Sequence, residues 1–566
     1  MNHFTKNLSF TILLTLLVLI PNFILVFVGE DSITATPLKS FVFLVSCFSF
    51  VFVGCILIRP KYYFLFLSPI VLIQYLEVIH VFLFKTPTST GVFIAFLQTN
   101  FNESREFLTS QFHFLGIALA TLCLYGFLLL RLDTSFYFSL QKKLISAVLF
   151  SFFHLLLLSR DFMIIKKTYP SHSMGQTLES IKYSFQVRSN KTFPINSFYR
   201  INSYLEYVDE HKNYTQNIKK ISFDSIVKDT LQTPETIVLV IGESARSDHF
   251  GMNGYKRNTT PNLDTIENIL SFKNTYSPSN LTQPSLSFML SRATPLKKVI
   301  MNHEPSFARA FKEQGFQVYW ISNQDYEPSH PTNFYSKESD SLILNKLSMD
   351  TRKTTDLILV NQFSSLLKIT RNYKKRLFII HTLGSHFRYN YRYTQDFEKF
   401  TPCIDNNFRL TSIKPPNKIA LINSYDNSIL YTDMIVSQCI KELDKNKRKN
   451  ALVYVSDHGE NLFDNDKKHV LHGNTIPTTF ELHVPLILWL SASYKKTYRN
   501  KYNTLKTNQN KIFSSANLPY LMWELGNLSI CENNNTKNLG SPNYSEPDTI
   551  YAFNQKIYKY PVHQLN

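Results

Sequence analysis

The chain has 566 residues, too many for one ordinary domain, and a formal net charge of +18. That charge suits nucleic acid or an anionic membrane, but there is no basic helix, zinc knuckle or aromatic platform motif, so nucleic acid is set aside and a membrane surface is the simpler partner. Of six cysteines, Cys47, Cys55 and Cys123 lie in apolar runs. Cys403, Cys439 and Cys531 allow at most one disulfide, which excludes a disulfide scaffold.

Residues 1–160 are mostly apolar. Runs at 9–29, 37–58, 62–84, 112–130 and 142–159 each approach the roughly 20 residues that span a bilayer. A cleaved signal peptide is a poor reading of the first run, because no small-residue cleavage site follows and further spans do. Arg59 and Lys61 follow the second run, and Arg131, Lys142 and Lys143 follow the fourth. The positive-inside rule puts both loops in the cytoplasm. The N-terminus is then cytoplasmic, and five spans place everything after Arg160 outside, in the periplasm of a bacterium. Glu77, His80 and His154 are ionisable groups within spans, read as interhelical or interfacial contacts. Pro21 and Pro69 are expected to kink their helices. Residues 161–234, basic and aromatic, suit a linker lying on the membrane surface, or an ordinary polar linker.

From Glu235 to the end the pattern alternates. Apolar strands are expected at 236–241, 317–322, 376–381, 451–456 and 484–490, with helical periodicity at 306–314 and 426–443. Alternation predicts an α/β domain over 235–566 with a mostly parallel sheet and helices on both faces. The Asn-rich run at 532–540 reads as a surface loop.

Chemistry collects at the carboxyl ends of strands in such a sheet. The strand ending at Ile241 runs into Glu243, and the strand ending at Val455 runs into Asp457 and His458. Two carboxylates and an imidazole are a donor set for Zn²⁺, or for Mn²⁺. Gly459 permits a tight turn after them. The segment 278–287 is rich in hydroxyls and precedes an apolar stretch, so it reads as a loop entering a helix, where backbone N–H groups suit phosphate. Thr282, Ser285 and Ser287 are all candidate nucleophiles for a metal-activated attack, and nothing in their residue types chooses among them. His381, His386, His472 and His483 fall near strand ends, where an imidazole can bind phosphate, move a proton or hold a second metal.

These residues resemble the alkaline-phosphatase/sulfatase superfamily and, more narrowly, the membrane-bound phosphoethanolamine transferases of lipid A and lipopolysaccharide core. Gly242-Glu243-Ser244-Ala245-Arg246-Ser247-Asp248, Gly254-Tyr255 and Thr260-Pro261 match the opening motif. Thr282 with Ser285, Met289 and Ser291 matches the nucleophile segment. Tyr425-Asp426-Asn427 with Tyr431-Thr432-Asp433 matches a helix the family carries, and Ser456-Asp457-His458-Gly459-Glu460, Leu471-His472-Gly473 and His483-Val484-Pro485 match the closing motifs in order. The resemblance covers most of 235–490, and the multi-span first third agrees in layout.

The resemblance implies Glu243, Thr282, Asp457 and His458 around zinc, with Thr282 as nucleophile. It implies His386 and His472 at the phosphate or a second metal, and Thr99, Glu103, Asn323 and His483 at the substrate. It further implies phosphatidylethanolamine as donor, an envelope glycolipid (lipopolysaccharide core or lipid A) as acceptor, and a bacterial inner-membrane enzyme that weakens polymyxin binding. Ala95 and Glu327 depart from the pattern where an Asn and a Lys are expected, which bears on the acceptor. Three other readings are a phosphoglycerol transferase using phosphatidylglycerol, a sulfatase and a non-catalytic membrane-tethered binding protein. A sulfatase needs an oxidisable Cys or Ser where Thr282 stands.

Overall fold

The computed structural model describes residues 3–28, 36–84, 112–168, 191–218, 221–228, 235–324, 335–345, 355–405, 415–464, 469–531, 535–554 and 556–565, with isolated positions between 87 and 189. Thr99, Glu103, Ala95 and Glu327 lie outside the described residues. The chain divides into two compact units, Met1–Ile94 with Phe107–Glu206, and Ala95–Glu106 with Tyr207–Asn566.

The first unit is helical: α1 (His3–Val18), α2 (Ile20–Val28), α3 (Pro37–Leu57), α4 (Pro60–Phe84), α5 (Phe112–Arg131), α6 (Leu140–Thr168) and the start of α7 (Ile195–Asn217). Among the described residues, three helices are long and apolar enough to cross a bilayer: Pro37–Leu57, Pro60–Phe82 and Leu140–Lys166. The pair α1–α2, bent by 51°, makes a fourth if it is one span. The expected span at 112–130 falls on α5, a helix of 20 residues. Each of the five runs read from the sequence as a span thus falls on a described helix or on the bent pair α1–α2.

The bend has a cause. Pro21 has no N–H to donate to the Leu17 carbonyl one turn back, and Gln74 Nε2 donates to that carbonyl instead, at 2.7 Å. Glu77 is 4% exposed and pairs with Arg200 on α7 at 2.6 Å, while Asn196 Nδ2 donates to the same carboxylate at 3.1 Å. Asn22 donates to and accepts from the backbone of Phe193 at 2.7 and 3.1 Å. The chain from 193 to 200, expected as surface linker, is thus tied by buried polar contacts to the helices of this unit. His154 Nδ1–H donates to the Phe150 carbonyl at 2.9 Å and Nε2 meets Ser46 Oγ at 3.3 Å, the interhelical role expected of it.

The second unit is built on β1 (Glu235–Gly242), β2 (Ile269–Ser271), β3 (Gln317–Ser322), β4 (Ser341–Leu344), β5 (Lys375–His381), β6 (Lys449–Ser456) and β7 (Leu486–Leu490). The order across the sheet is β2-β7-β6-β1-β5-β3-β4. β6, β1, β5, β3 and β4 run parallel, while β7 is antiparallel to both β6 and β2. Ile237 to Ile241 have no exposure at all, as a central parallel strand covered on both faces requires. The mostly parallel α/β sheet expected from alternation is present.

Register decides where function falls. Gly242 pairs with Ser456 and Ile241 with His381, so Glu243, Asp457 and Thr382 leave three adjacent strands at one edge. Three helices matter to that edge: α8 (Thr282–Leu290), α9 (Leu357–Ile369) and α10 (Lys418–Asp444).

Candidate active site

Glu243, Asp457 and His458 are all buried, with ligand atoms within 4.8 Å of one another. His458 Nε2 lies 3.3 Å from Glu243 Oε1 and 3.3 Å from Asp457 Oδ2. His458 Nδ1 is 2.8 Å from the Gly459 carbonyl. A carbonyl only accepts, so Nδ1 carries a proton, and Nε2 is the nitrogen that faces the carboxylates.

Asp457 is aimed by its backbone and by one of its two oxygens. Its Oδ1 accepts from the N–H of Ser244 at 3.1 Å and of His458 at 2.7 Å, and its carbonyl accepts from Ser277 and Ser285. Oδ2 is buried without a hydrogen-bond partner, a costly arrangement unless a cation completes it. Burial, with the charge of Glu243 beside it, pushes the Asp457 carboxyl far above its ordinary range. Burial works against charge on His458, but Asp457 and Glu243 outweigh it and hold the imidazole up to about 10. Burial would also raise Glu243, but the hydrogen bond and charge of His458 hold it low. The trio keeps protons where a divalent cation would displace them. An unpartnered buried carboxylate oxygen and a carboxylate–carboxylate–imidazole donor set fit a zinc-type metal.

The three hydroxyls left open by the sequence now separate. Thr282 Oγ1 is 3.2 Å from His458 Nε2 and 3.5 Å from each oxygen of Glu243. Ser285 is spent on Ser277 Oγ, at 2.7 Å, and on the Asp457 carbonyl. Ser287 donates back to the Gln283 carbonyl at 3.0 Å. Thr282 is also the first residue of α8, preceded by Leu281 with no side-chain cap; Pro284 has no N–H and Ser285 N donates to Leu281 O, so the N–H groups of Thr282 and Gln283 are the ones that face an anion.

The loop carrying Glu243 is held from both sides. Ser244 takes a positive φ of 57°, and the Tyr425 hydroxyl clasps the turn by donating to Ser244 O and accepting from Arg246 N. On the other side a Cβ on Gly384 would come within 2.7 Å of Glu243 N, and Gly384 has φ 50°, so only glycine fits. Asp356, fully buried, fixes that loop by accepting from Leu383 N and Gly384 N, each at 2.9 Å.

Three more imidazoles surround the cluster. The His472 ring centroid is 4.1 Å from that of His458 and 6.3 Å from that of His386. His472 Nδ1 meets Glu460 Oε2 at 2.8 Å, and Glu460 is itself held by the Tyr389 hydroxyl at 2.9 Å. His458, Glu460 and His472 form a second set of potential ligands. His386 Nδ1–H donates to the Phe387 carbonyl at 2.6 Å, and burial depresses its pKa, keeping it neutral with Nε2 as acceptor. His381 is buried, with Nε2 unpartnered and its pKa lowered to about 4 by burial.

Two expected substrate residues commit their polar atoms within the protein. Asn323 is fully buried, donating to Asp356 Oδ1 and accepting from Asn345, both at 2.8 Å. His483 stacks on Tyr276 and its Nε2 meets the Lys273 carbonyl at 2.6 Å. Reading by residue type missed Gln324, whose Nε2 donates to Thr382 O at 2.9 Å and Glu243 Oε2 at 3.4 Å. It also left Glu460 without a role, although the residue stood in a quoted motif.

The sulfatase family matches residues 235–519, half of the chain. The chain belongs to the sulfatase family. Within it, the resemblance to membrane-bound phosphoethanolamine transferases holds. Kdo(2)-lipid A phosphoethanolamine 7''-transferase of Escherichia coli (strain K12) is 33% identical over 291 residues, 48% of each chain. The chain spans about half the length of the curated relatives it matches. The C-terminal periplasmic domain of EcEptC from Escherichia coli, solved in complex with Zn, superposes with a TM-score of 0.53 at 26% identity, over 60% of this sulfatase-family chain and 95% of that domain. The integral membrane lipooligosaccharide phosphoethanolamine transferase A (EptA) from Neisseria meningitidis has the same fold, with a TM-score of 0.70 at 22% identity over 95% of this chain and 97% of its own.

Proposed function

We propose that this protein transfers phosphoethanolamine from phosphatidylethanolamine to an envelope glycolipid, lipopolysaccharide core or lipid A, through a phosphothreonine at Thr282. The observation that carries the proposal is the position of Thr282 Oγ1 at the start of α8, 3.2 Å from His458 Nε2 and 3.5 Å from Glu243. The zinc complex of the EcEptC domain, and the phosphoethanolamine group and lipid A acceptor in the relative's name, support it. Glu243, Asp457, His458 and the Thr282 oxygen would hold Zn²⁺, which supplies Lewis-acid charge that favours the alkoxide over the hydroxyl; Mn²⁺ suits the same donors.

The Thr282 oxygen attacks the donor phosphorus. One P–O bond forms to Oγ1 and the bond to the diacylglycerol oxygen breaks. The leaving oxygen needs a proton, and the acceptor must later lose one as it takes the phosphorus from Thr282. His386 and His472 are the groups for these transfers, each with Nδ1 committed and Nε2 left for the exchange. The N-terminal N–H groups of α8 orient the phosphate oxygens. Thr99 and Glu103 are proposed to meet the ammonium head group. Asn323 and His483 would act on substrate through the loops they hold, since their polar atoms are committed within the protein.

The donor explains the membrane unit, because lipid extraction costs about 0.8 kcal/mol per CH₂. We place the N-terminus in the cytoplasm and the sulfatase-like domain in the periplasm, anchored to the inner membrane by five spans. Added phosphoethanolamine puts positive charge on the glycolipid and lowers polymyxin binding. Head-group-labelled phosphatidylethanolamine and phosphatidylglycerol, each offered with glycolipid acceptor, test this. Label is expected to pass from the first. Transfer from phosphatidylglycerol alone would establish a phosphoglycerol transferase, and transfer from neither would leave a binding protein.

A further inference from the structure

Four residues after α8 the chain turns through Pro295–Asn302, and Leu296, Lys297, Lys298 and Val299 in it are all exposed. Leu296 is 57% and Val299 64% exposed. Beneath them, Ile300 and Met301 pack with Phe288 of α8 and with Phe553. Phe553 belongs to the hairpin formed by Thr549–Asn554 and Lys556–Pro561, where it faces Ile557. Lys298 Nζ lies 5.4 Å from the Phe553 ring, so turn and hairpin form one surface. Phe553 N donates to Pro278 O, and Phe553 O accepts from Ser279, each at 2.8 Å. The surface therefore adjoins the loop that leads into Thr282.

Its charge is one-sided. Residues 293–303 and 549–566 contain no Asp or Glu, while Lys297, Lys298, Lys556 and Lys559 fall within them. Exposed branched aliphatic side chains beside adjacent lysines are the pattern of an interfacial membrane contact. A protein interface centres instead on buried aromatic or Arg anchors across about 800 Å² per partner. The chain carries apolar helices of bilayer length, Pro37–Leu57 among them, which argues for lipid over protein as the partner.

We propose that this face is a membrane-docking surface for an anionic phospholipid bilayer. Leu296 and Val299 enter the headgroup layer, and the four lysines meet lipid phosphates. The contact holds the loop that carries Thr282 against the bilayer. It stands on the surface and not on the reaction, so it survives if another lipid proves to be the donor.

Tryptophan fluorescence tests it in the full chain. The native Trp320, Trp489 and Trp523 are at most 4% exposed, so Leu296→Trp and Val299→Trp add a readable exposed fluorophore over the wild-type signal. In vesicles of anionic phospholipid with brominated acyl chains, both variants are expected to lose emission, most with bromines about 5–10 Å below the headgroups. Ile369→Trp, on a residue 76% exposed at the end of α9, should keep its emission. Adding K297E and K298E should weaken the quenching about tenfold or more, and 1 M salt should weaken it likewise. Equal quenching at Ile369→Trp would overturn the proposal. So would no quenching at 296 and 299, or emission there that follows protein concentration alone, which would assign the face to a second copy.

Discussion

Two sets of carboxylates in the second unit are buried alike, yet they are partnered in opposite ways. On α10, Asp426 accepts from His249 Nδ1 at 2.6 Å, Tyr255 at 2.8 Å and Arg257 at 2.7 Å. Asp433 accepts from Asn262 N and Nδ2 and from Leu263 N, at 2.7–3.0 Å. At the strand ends, Glu243 and Asp457 crowd one imidazole, and Asp457 Oδ2 has no partner. The first set pins the loop after β1 to a helix. The second leaves charge unanswered at the point where Thr282 arrives. Completed partnering marks structure, and the vacant lone pair marks the place for a cation.

The sharpest way to break this comparison is to remove one member of each set. Asp457→Asn should abolish metal retention and cut transfer by on the order of 10⁴-fold. The metal-free protein should stay as stable as the metal-free parent, since the raised Asp457 carboxyl is already uncharged without a cation and Asn has its shape. Elemental analysis and thermal melts of both forms check this. Asp426→Ala should behave in the reverse sense. It strands His249 and Arg257 and should cost about 3–5 kcal/mol of unfolding free energy, with metal stoichiometry preserved in whatever protein folds.

Next in size are the imidazoles. His386→Ala and His472→Ala should each lower turnover by about 10²-fold with metal content kept. Loss of metal in His472→Ala would instead make it a ligand alongside Glu460. The smallest effect concerns Asp433. Burial pushes its carboxyl up to about 6 from 3.8, against the N–H donors that pull it down. The folded value lies above the unfolded one. The stability tied to its proton is therefore complete below 3.8 and lost as pH rises through about 6. Asp433→Asn should flatten that part of the stability–pH curve, and an unchanged slope would show that another group sets it.

The contrast also explains what could be read from residues alone. β1, β3, β5, β6 and β7 announce themselves as runs of branched apolar residues because they are buried on both faces. β2 and β4 are three and four residues long and only partly buried, so no pattern marked them. Glu243, Asp457 and His458 were legible because each follows a strand directly. The choice of Thr282 over Ser285 was not, because it depends on which hydroxyl of one helical turn faces another strand's end. Asp356, Gln324 and Glu460 were missed for the same reason, since their partners are distant in sequence.

The chemistry comes down to one atom, and intact-mass and peptide mapping of the protein after exposure to phosphatidylethanolamine without acceptor reads it directly. The expected result is one phosphoethanolamine on the peptide carrying Thr282, absent from Thr282→Ala and discharged when glycolipid is added. An adduct on Ser285, or undiminished transfer by Thr282→Ala, would contradict it.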